Sequence, residues 1–290
     1  MATGIVLERE EYIEQAYFFR VLRERIASNL AAQDIIANIH EEILATTRLP
    51  LAIQFLGTEL KHSGLLSSGF ARLLHYFHPF QGFVVRQTED ESRRFSIETA
   101  LLILEREAQY RSGQAGGGPN RPGLFVYQFE AISRNRLGYD EGLVSMANDP
   151  FFDANWREFL DFVRRQVGIV DFTDLIYFRS ELYVKDQRRQ APNYEPSLPP
   201  LFGEKEGRIA AANRGRDPLY LFAALQRQLG YPEVPRPRIA DDWEAKLKKV
   251  QTKLYEMETR LKLVEGEIKG QIDLSQFGKP ELLEGWDKEE

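Results

Sequence analysis

The chain has 290 residues, of which 43% are hydrophobic, and this length allows one large domain or two smaller ones with a sizeable core. It carries 44 acidic and 38 basic residues, so its net charge of −6 does not favour nonspecific binding to nucleic acid. No cysteine is present, which excludes disulfides, thiolate zinc sites, iron–sulfur clusters and cysteine nucleophiles.

The hydropathy pattern predicts neither a signal peptide nor a membrane span. Acidic residues occur within the first ten positions, before any apolar stretch of signal-peptide length. No later run approaches the roughly 18 apolar residues of a membrane helix. A cytoplasmic location is the simplest interpretation, and the absence of cysteine agrees with it.

The N-terminal third of the chain is predicted to be helical. Residues 8–46 contain no glycine or proline, and apolar residues recur there at helix-like spacing, which indicates one long helix or two abutting ones. Pro50 is expected in the first turn of a helix that runs through His62 to a C-cap at Gly64. Another short helix is expected from Ser68 to Phe77, before His78-Pro79.

A flexible loop is predicted near the middle of the chain. Ser96 is expected to cap a helix that ends at Ser112-Gly113. The stretch 113–123 is rich in glycine and proline, and should form a surface loop between an N-terminal helical region, 1–112, and a second one, 124–231. Periodicity allows a strand or a helix over 124–132, with helix preferred.

In the second region, three segments each begin with an aspartate that can cap a helix and end before glycine or proline, which predicts three further helices. They run from Asp153 to Gly168, from Asp171 through Tyr183, and from Asp217 to Gly230. Prolines then recur over 232–239, which predicts an extended, semi-rigid spacer.

A heptad pattern follows the spacer. Apolar residues are separated by alternating steps of four and three over about four heptads, which predicts a coiled coil over 240–272, followed by an acidic tail, 273–290. Its seam consists of Trp243, Leu247, Val250, Leu254, Met257, Leu261, Val264 and Ile268.

Charges beside the seam favour parallel self-pairing. In a parallel pair, Lys253 meets Glu258 of the other chain and Arg260 meets Glu265, and both contacts are attractive. An antiparallel pair would instead bring like charges together. The seam residues do not fix the number of chains. The same stripe would also suit a helix that packs back onto its own body, so this alternative stays open.

A weaker pattern allows a metal-dependent enzyme. All four histidines lie between His40 and His78, and Glu59 and His62 show the Glu-x-x-His spacing of di-iron helical bundles. His40, Glu59 and His62 are therefore the candidate metal ligands. Against this, the second Glu-x-x-His motif of such sites is absent, and a histidine at a helix end can simply interact with the helix dipole.

No other motif predicts a cofactor or a reaction. The glycine loop lacks the ending of a phosphate-binding loop, and the carboxylate pairs Asp149/Asp153 and Asp171/Asp174 are typical of helix caps. We therefore expect an all-α protein, with a multi-helix globular body and a C-terminal coiled-coil helix, that needs no cofactor. It would act as a non-enzymatic assembly or adaptor protein, by pairing with itself or with another coiled-coil protein. The alternative is a helical-bundle enzyme that uses the Glu59/His62 region.

Overall fold

The structure is a computed structural model, which describes residues 6–93, 95–113 and 118–236, and residues 250, 252–255, 257 and 261 near the C-terminus. Contacts divide the chain into two compact units, 1–237 and 238–290. The described part of the chain contains helices and no β-strand, which confirms the predicted all-α class. The α-helices are α1 (Arg9–Ala27), α2 (Ala32–Ile39), α3 (Leu49–Ser63), α4 (Leu66–Arg72), α5 (Pro79–Glu89), α6 (Ile97–Arg111), α7 (Arg121–Asn135), α8 (Tyr139–Ala147), α9 (Ala154–Gln166), α10 (Phe172–Phe178), α11 (Glu181–Gln190), α12 (Glu204–Ala212) and α13 (Pro218–Leu229).

The segment 8–46, predicted to form one long helix or two abutting ones, contains two separate helices, α1 and α2. The chain leaves the helical path between α1 and α2, where Asn29 adopts a left-handed φ of 61°. Asparagine tolerates this conformation better than most residues, so it can end a helix without glycine. The residues after α2 form turns rather than the predicted continuation to Thr46.

Several predicted helix ends are confirmed by their cap geometry. Gly64 and Gly230 both adopt left-handed φ angles, of 72° and 67°, directly after α3 and α13. The Ser96 hydroxyl accepts a hydrogen bond from the Thr99 amide at the start of α6, and the Asp153 carboxylate accepts one from the Trp156 amide at the start of α9. Residues 124–132 lie inside α7, as preferred from the sequence.

Two predicted helices are wrong in extent. The helix expected over 68–77 ends at Arg72, and a separate helix, α5, begins at Pro79, where proline suits the first helical position. The single helix expected after Asp171 is two helices, because Ser180 adopts an extended conformation and caps α11 by accepting a hydrogen bond from the Tyr183 amide.

The core of unit 1–237 draws on helices from both sides of the predicted loop. Helix α1 packs along α6, and α7 packs against α6, α8 and α13. The buried Phe125 ring of α7 lies with its centroid 5.4–6.0 Å from those of Trp156, Phe159 and Phe202. The loop itself is shorter than predicted, because Asn120 caps α7 and Arg121 is already helical.

The described part of the proline-rich spacer lies against the helical body. Tyr231 and Val234 are buried, and the Tyr231 hydroxyl donates to Glu130 Oε2 over 2.8 Å. The side-chain amide of Asn135 donates a hydrogen bond to the Pro235 carbonyl over 3.2 Å, and the Arg106 side chain donates one to the Glu233 carbonyl. The predicted extended segment therefore packs on α6 and α7 as far as Pro235.

Candidate functional site

Two of the three candidate metal ligands, Glu59 and His62, lie in the last two turns of α3, and the third, His40, follows α2. Glu59 Oε1 accepts a hydrogen bond from Arg72 Nη1 over 2.6 Å, so this carboxylate already has a cationic partner. His62 is exposed in the last turn of α3, and His40 follows the last residue of α2. Across the described ranges, no three histidine, aspartate or glutamate side chains are grouped to hold a metal ion. The metal site stays a prediction, and the described geometry does not support it.

A group of interior polar side chains was not predicted from the sequence. Tyr12 comes from α1, His78 from the residue before α5, Glu107 and Arg111 from α6, and Asp149 from the turn after α8. These five residues, which we call the buried polar centre, are only 0–5% exposed. Glu107 and Arg111 are separated by four positions, which places them on one face of α6.

Arg111 holds the centre together through its two carboxylate partners. Its Nε and Nη2 atoms donate to Glu107 Oε1 over 2.9 and 2.8 Å, and Nη2 also donates to Asp149. Gln128 of α7 donates to the same Glu107 oxygen over 2.8 Å. A buried guanidinium with two carboxylate partners links α6 to the turn after α8.

His78 and Tyr12 form the neutral half of the centre. The Tyr12 hydroxyl and His78 Nε2 are 2.8 Å apart and share a hydrogen bond, and the Leu7 amide donates to the same hydroxyl over 3.3 Å. His78 Nδ1 lies 3.8 Å from Asp149 Oδ1, which is too long for a strong hydrogen bond. The His78 amide donates to Gln81 Oε1 over 3.1 Å, which helps to fix the start of α5.

Burial and neighbouring charges set the ionisation of the centre. Burial, reinforced by the nearby Arg111 guanidinium, lowers the pKa of His78 to about 3, so the imidazole is neutral at pH 7. Burial also raises the pKa of Glu107, in spite of its contact with Arg111. Burial alone would raise the pKa of Asp149 as well, but the charge of Arg111 and the hydrogen bonds from Arg111 and the Phe151 amide together outweigh it and lower that pKa. Asp149 is therefore the main counter-ion of Arg111.

A cavity of about 320 Å³ lies beside the buried polar centre. Its lining is mostly apolar, and the rings of Tyr12 and Phe151 stand 5.9 and 5.7 Å from the Arg111 guanidinium carbon. Arg9 also lines the cavity and donates from Nε to the Ser112 carbonyl over 3.0 Å. The cavity is lined by Val6, Leu7, Arg9, Tyr12, Arg111, Ser112, Gly113, Gly118, Pro119 and Phe151.

The sequence contained a weak signal for this centre. Glu107 and Arg111 have the spacing of an ordinary surface ion pair, so they were not singled out. Leu104, which precedes Glu107, and Ala108, which follows it, are fully buried, so this face of α6 points into the core. An acid and a base on the apolar face of an amphipathic helix is the pattern that could have revealed a buried pair.

Half of the predicted coiled-coil seam falls on described residues. Val250, Leu254, Met257 and Leu261 are helical, and their side chains are 56–61% exposed. The other four seam residues, Trp243, Leu247, Val264 and Ile268, lie outside the described residues. The described seam therefore presents apolar side chains on a helix to solvent.

No helix in the described ranges combines the length and apolar character needed to cross a bilayer. Comparison with protein-family models, with curated proteins and with solved structures gave no match.

Proposed function

We propose that this chain is a non-enzymatic assembly or adaptor protein that associates with a second copy of itself through a parallel C-terminal coiled coil. The observation that carries the proposal is the exposure of Val250, Leu254, Met257 and Leu261, which are helical and lie at consecutive seam positions of the heptad pattern. Apolar side chains repeated at this spacing gain free energy when a second helix covers them.

Charge complementarity supports a second copy as the occupant of the seam. Lys253 and Arg260 stand at g positions, while Glu258 and Glu265 stand at the e positions that they meet in a parallel pair. Every chain supplies both signs, so two identical helices are complementary. Exposed pairs of this kind contribute less to affinity than the apolar seam does, and they act mainly on orientation and partner choice.

The test is sedimentation equilibrium of the full-length protein and of two variants at tens of micromolar. Leu254→Glu places a charge at an a position, which should cost about 3–5 kcal/mol in the associated state and yield a monomer. Thr252→Glu adds the same charge two residues away at an f position, outside the seam, and should leave the association unchanged. Both variants should keep the helical circular dichroism of the body.

Two outcomes would contradict self-association. One is a full-length protein that stays monomeric at those concentrations. The other is association that Leu254→Glu leaves intact, because the seam would then not be the interface. A monomeric protein that binds a different coiled-coil chain, with loss of binding in Leu254→Glu, would replace self-pairing by hetero-pairing through the same seam.

A further inference from the structure

The cavity beside the buried polar centre combines an apolar wall with Arg111, whose guanidinium group is not fully hydrogen-bonded. Arg111 Nη1 is buried, and it has no hydrogen-bond partner among the described residues. Its neighbours Nε and Nη2 are both bonded, so Nη1 is the part of this guanidinium with capacity left. Buried donors are nearly always paired in proteins, so an unpaired guanidinium nitrogen on an arginine that lines a cavity indicates a missing acceptor.

We propose that the cavity binds a small amphipathic anion, whose carboxylate or phosphate head pairs with Arg111 and whose apolar body packs against Leu7 and Phe151. Arginine is suited to such heads because its planar guanidinium matches their oxygens. Arg9, at the same cavity, is exposed and supplies a second positive charge. The site is independent of the proposed coiled coil, since every lining residue belongs to unit 1–237.

The charges around the cavity favour an anion over a cation. Asp149 and Glu107 bond to the Nε and Nη2 atoms of Arg111, and neither carboxylate is among the residues that line the cavity. Arg9 then leaves an excess of positive charge at the cavity wall. His78 is neutral and adds no charge. A cationic ligand would face two guanidinium groups, and the like charges would repel.

The size and lining of the cavity limit the ligand to a small molecule with an apolar part. A volume of about 320 Å³ is near the lower end of the range for small-molecule sites, which is roughly 300–1,000 Å³. The side chains of Val6, Leu7, Pro119 and Phe151 form the apolar wall. A bare inorganic anion would leave this wall uncovered, so an alkyl or aryl body is part of the proposal.

The proposal is tested by isothermal titration calorimetry of the full-length protein with four probes that share an eight-carbon chain. Octanoate and octyl phosphate carry anionic heads and distinguish the two head chemistries. Octylamine is cationic and 1-octanol is neutral. We expect one anion to bind per chain, and we expect at least tenfold weaker binding of octylamine and octanol.

Two variants locate the site. Val6→Trp, at a half-exposed cavity residue, should fill the cavity and abolish anion binding while the melting temperature stays close to that of the wild type. Arg9→Gln should weaken anion binding about threefold to fivefold, as loss of an exposed charge contact implies. Arg20→Gln is the matched control, because it removes an exposed charge from the same helix away from the cavity and should not alter binding.

Three results would overturn the proposal: no binding of either anion, equal binding of all four probes, or binding that Val6→Trp does not reduce. Equal binding would show an apolar site without a role for Arg111. The monomeric Leu254→Glu variant should bind the anion like the wild type, so failure of the coiled-coil proposal and failure of this one remain distinguishable.

Discussion

Arg111 is a positive charge enclosed by the protein, and its two carboxylate partners are not equivalent. Asp149 has a lowered pKa, so its negative charge is favoured by folding, whereas burial raises the pKa of Glu107, so its neutral form is favoured. The stability contributed by Asp149 is present above its ordinary pKa of 3.8 and is lost as the pH falls through its lower folded value. For Glu107 the sign is opposite, because stability falls as the pH rises above 4.5 towards its raised folded value.

This difference predicts opposite tolerance to neutral isosteres. Asp149→Asn should reduce the free energy of unfolding at pH 7 by about 3 kcal/mol, because it leaves the buried Arg111 charge without its main counter-ion. Glu107→Gln keeps an acceptor oxygen for Arg111 and removes a charge whose burial is unfavourable, so it should change that free energy by no more than about 1 kcal/mol. Urea denaturation at pH 7 measures both. A larger loss in Glu107→Gln than in Asp149→Asn would contradict a charged Asp149 beside a Glu107 that favours its neutral form.

Sequence reasoning could not have identified this centre as a unit. Tyr12, His78 and Asp149 are separated by 66 or more positions, and each has an ordinary local explanation. His78 precedes a proline, and Asp149 accepts a hydrogen bond from the Phe151 amide, as a turn residue does. Their proximity is a consequence of tertiary packing, which single-sequence patterns do not encode. The candidate metal ligands illustrate the opposite case, in which a sequence pattern has no counterpart in the fold. Glu59 and His62 have suitable spacing on α3, but among the described residues no group of three possible ligands forms there.

At the scale of helices, the sequence predicted boundaries that are marked by a side-chain cap or a left-handed glycine, and it missed three short helices that contain glycine near their start. Helices α5, α8 and α12 were not predicted, and each has glycine at its fourth residue, namely Gly82, Gly142 and Gly207. Glycine lowers helix propensity by about 1 kcal/mol relative to alanine, and short segments show little periodicity. Tertiary contacts overcome that cost in the folded protein.

These glycines differ in whether packing requires them. A Cβ at Gly207 would lie 2.4 Å from Ser180 Oγ and 2.8 Å from Leu182 Cβ, because α12 approaches the start of α11 closely. A Cβ at Gly82 would meet its nearest atom, Phe70 Cβ, at 3.5 Å, which is an ordinary contact. The two residues occupy the same position in their helices, so they form a matched pair.

Alanine substitutions should therefore have opposite signs. Gly207→Ala should lower the free energy of unfolding by about 1–3 kcal/mol through overpacking against α11. Gly82→Ala should raise it by about 0.5–1 kcal/mol, because alanine loses less backbone entropy in a helix. Thermal and urea denaturation of both variants measure the difference. Equal stabilisation by both alanines would show that α11 and α12 separate easily, against the close approach of Gly207 to Ser180.

At the scale of the whole molecule, the fold and the proposed function depend on different kinds of sequence information. The body of residues 6–236 is specified by buried contacts between distant segments, and only its helical class and about half of its helix boundaries could be read from local patterns. The seam is specified by a repeat within one segment, so all of its residues could be proposed from the sequence. The proposed partner is a second chain, so it belongs to no pattern that a single sequence contains.

The orientation of the proposed pair can be tested with the charges beside the seam. Reversing Arg260 to Glu or Glu265 to Arg should each weaken self-association, because either change places like charges together in a parallel pair. A dimer contains two such contacts, so the expected loss is of the order of 1 kcal/mol, or roughly fivefold in the dissociation constant. The double reversal should restore most of the affinity, since the opposite signs meet again.

A double-mutant cycle isolates this contact from effects within one helix. Arg260 also lies four residues after Glu256, and that intrahelical pair is lost equally in the single and the double variant, so it cancels in the cycle. Sedimentation equilibrium of the wild type and three variants gives the coupling free energy. A coupling near zero at low salt would exclude the parallel register. In an antiparallel pair, g meets g and e meets e, so Arg260 would not face Glu265 and the two reversals would show no coupling.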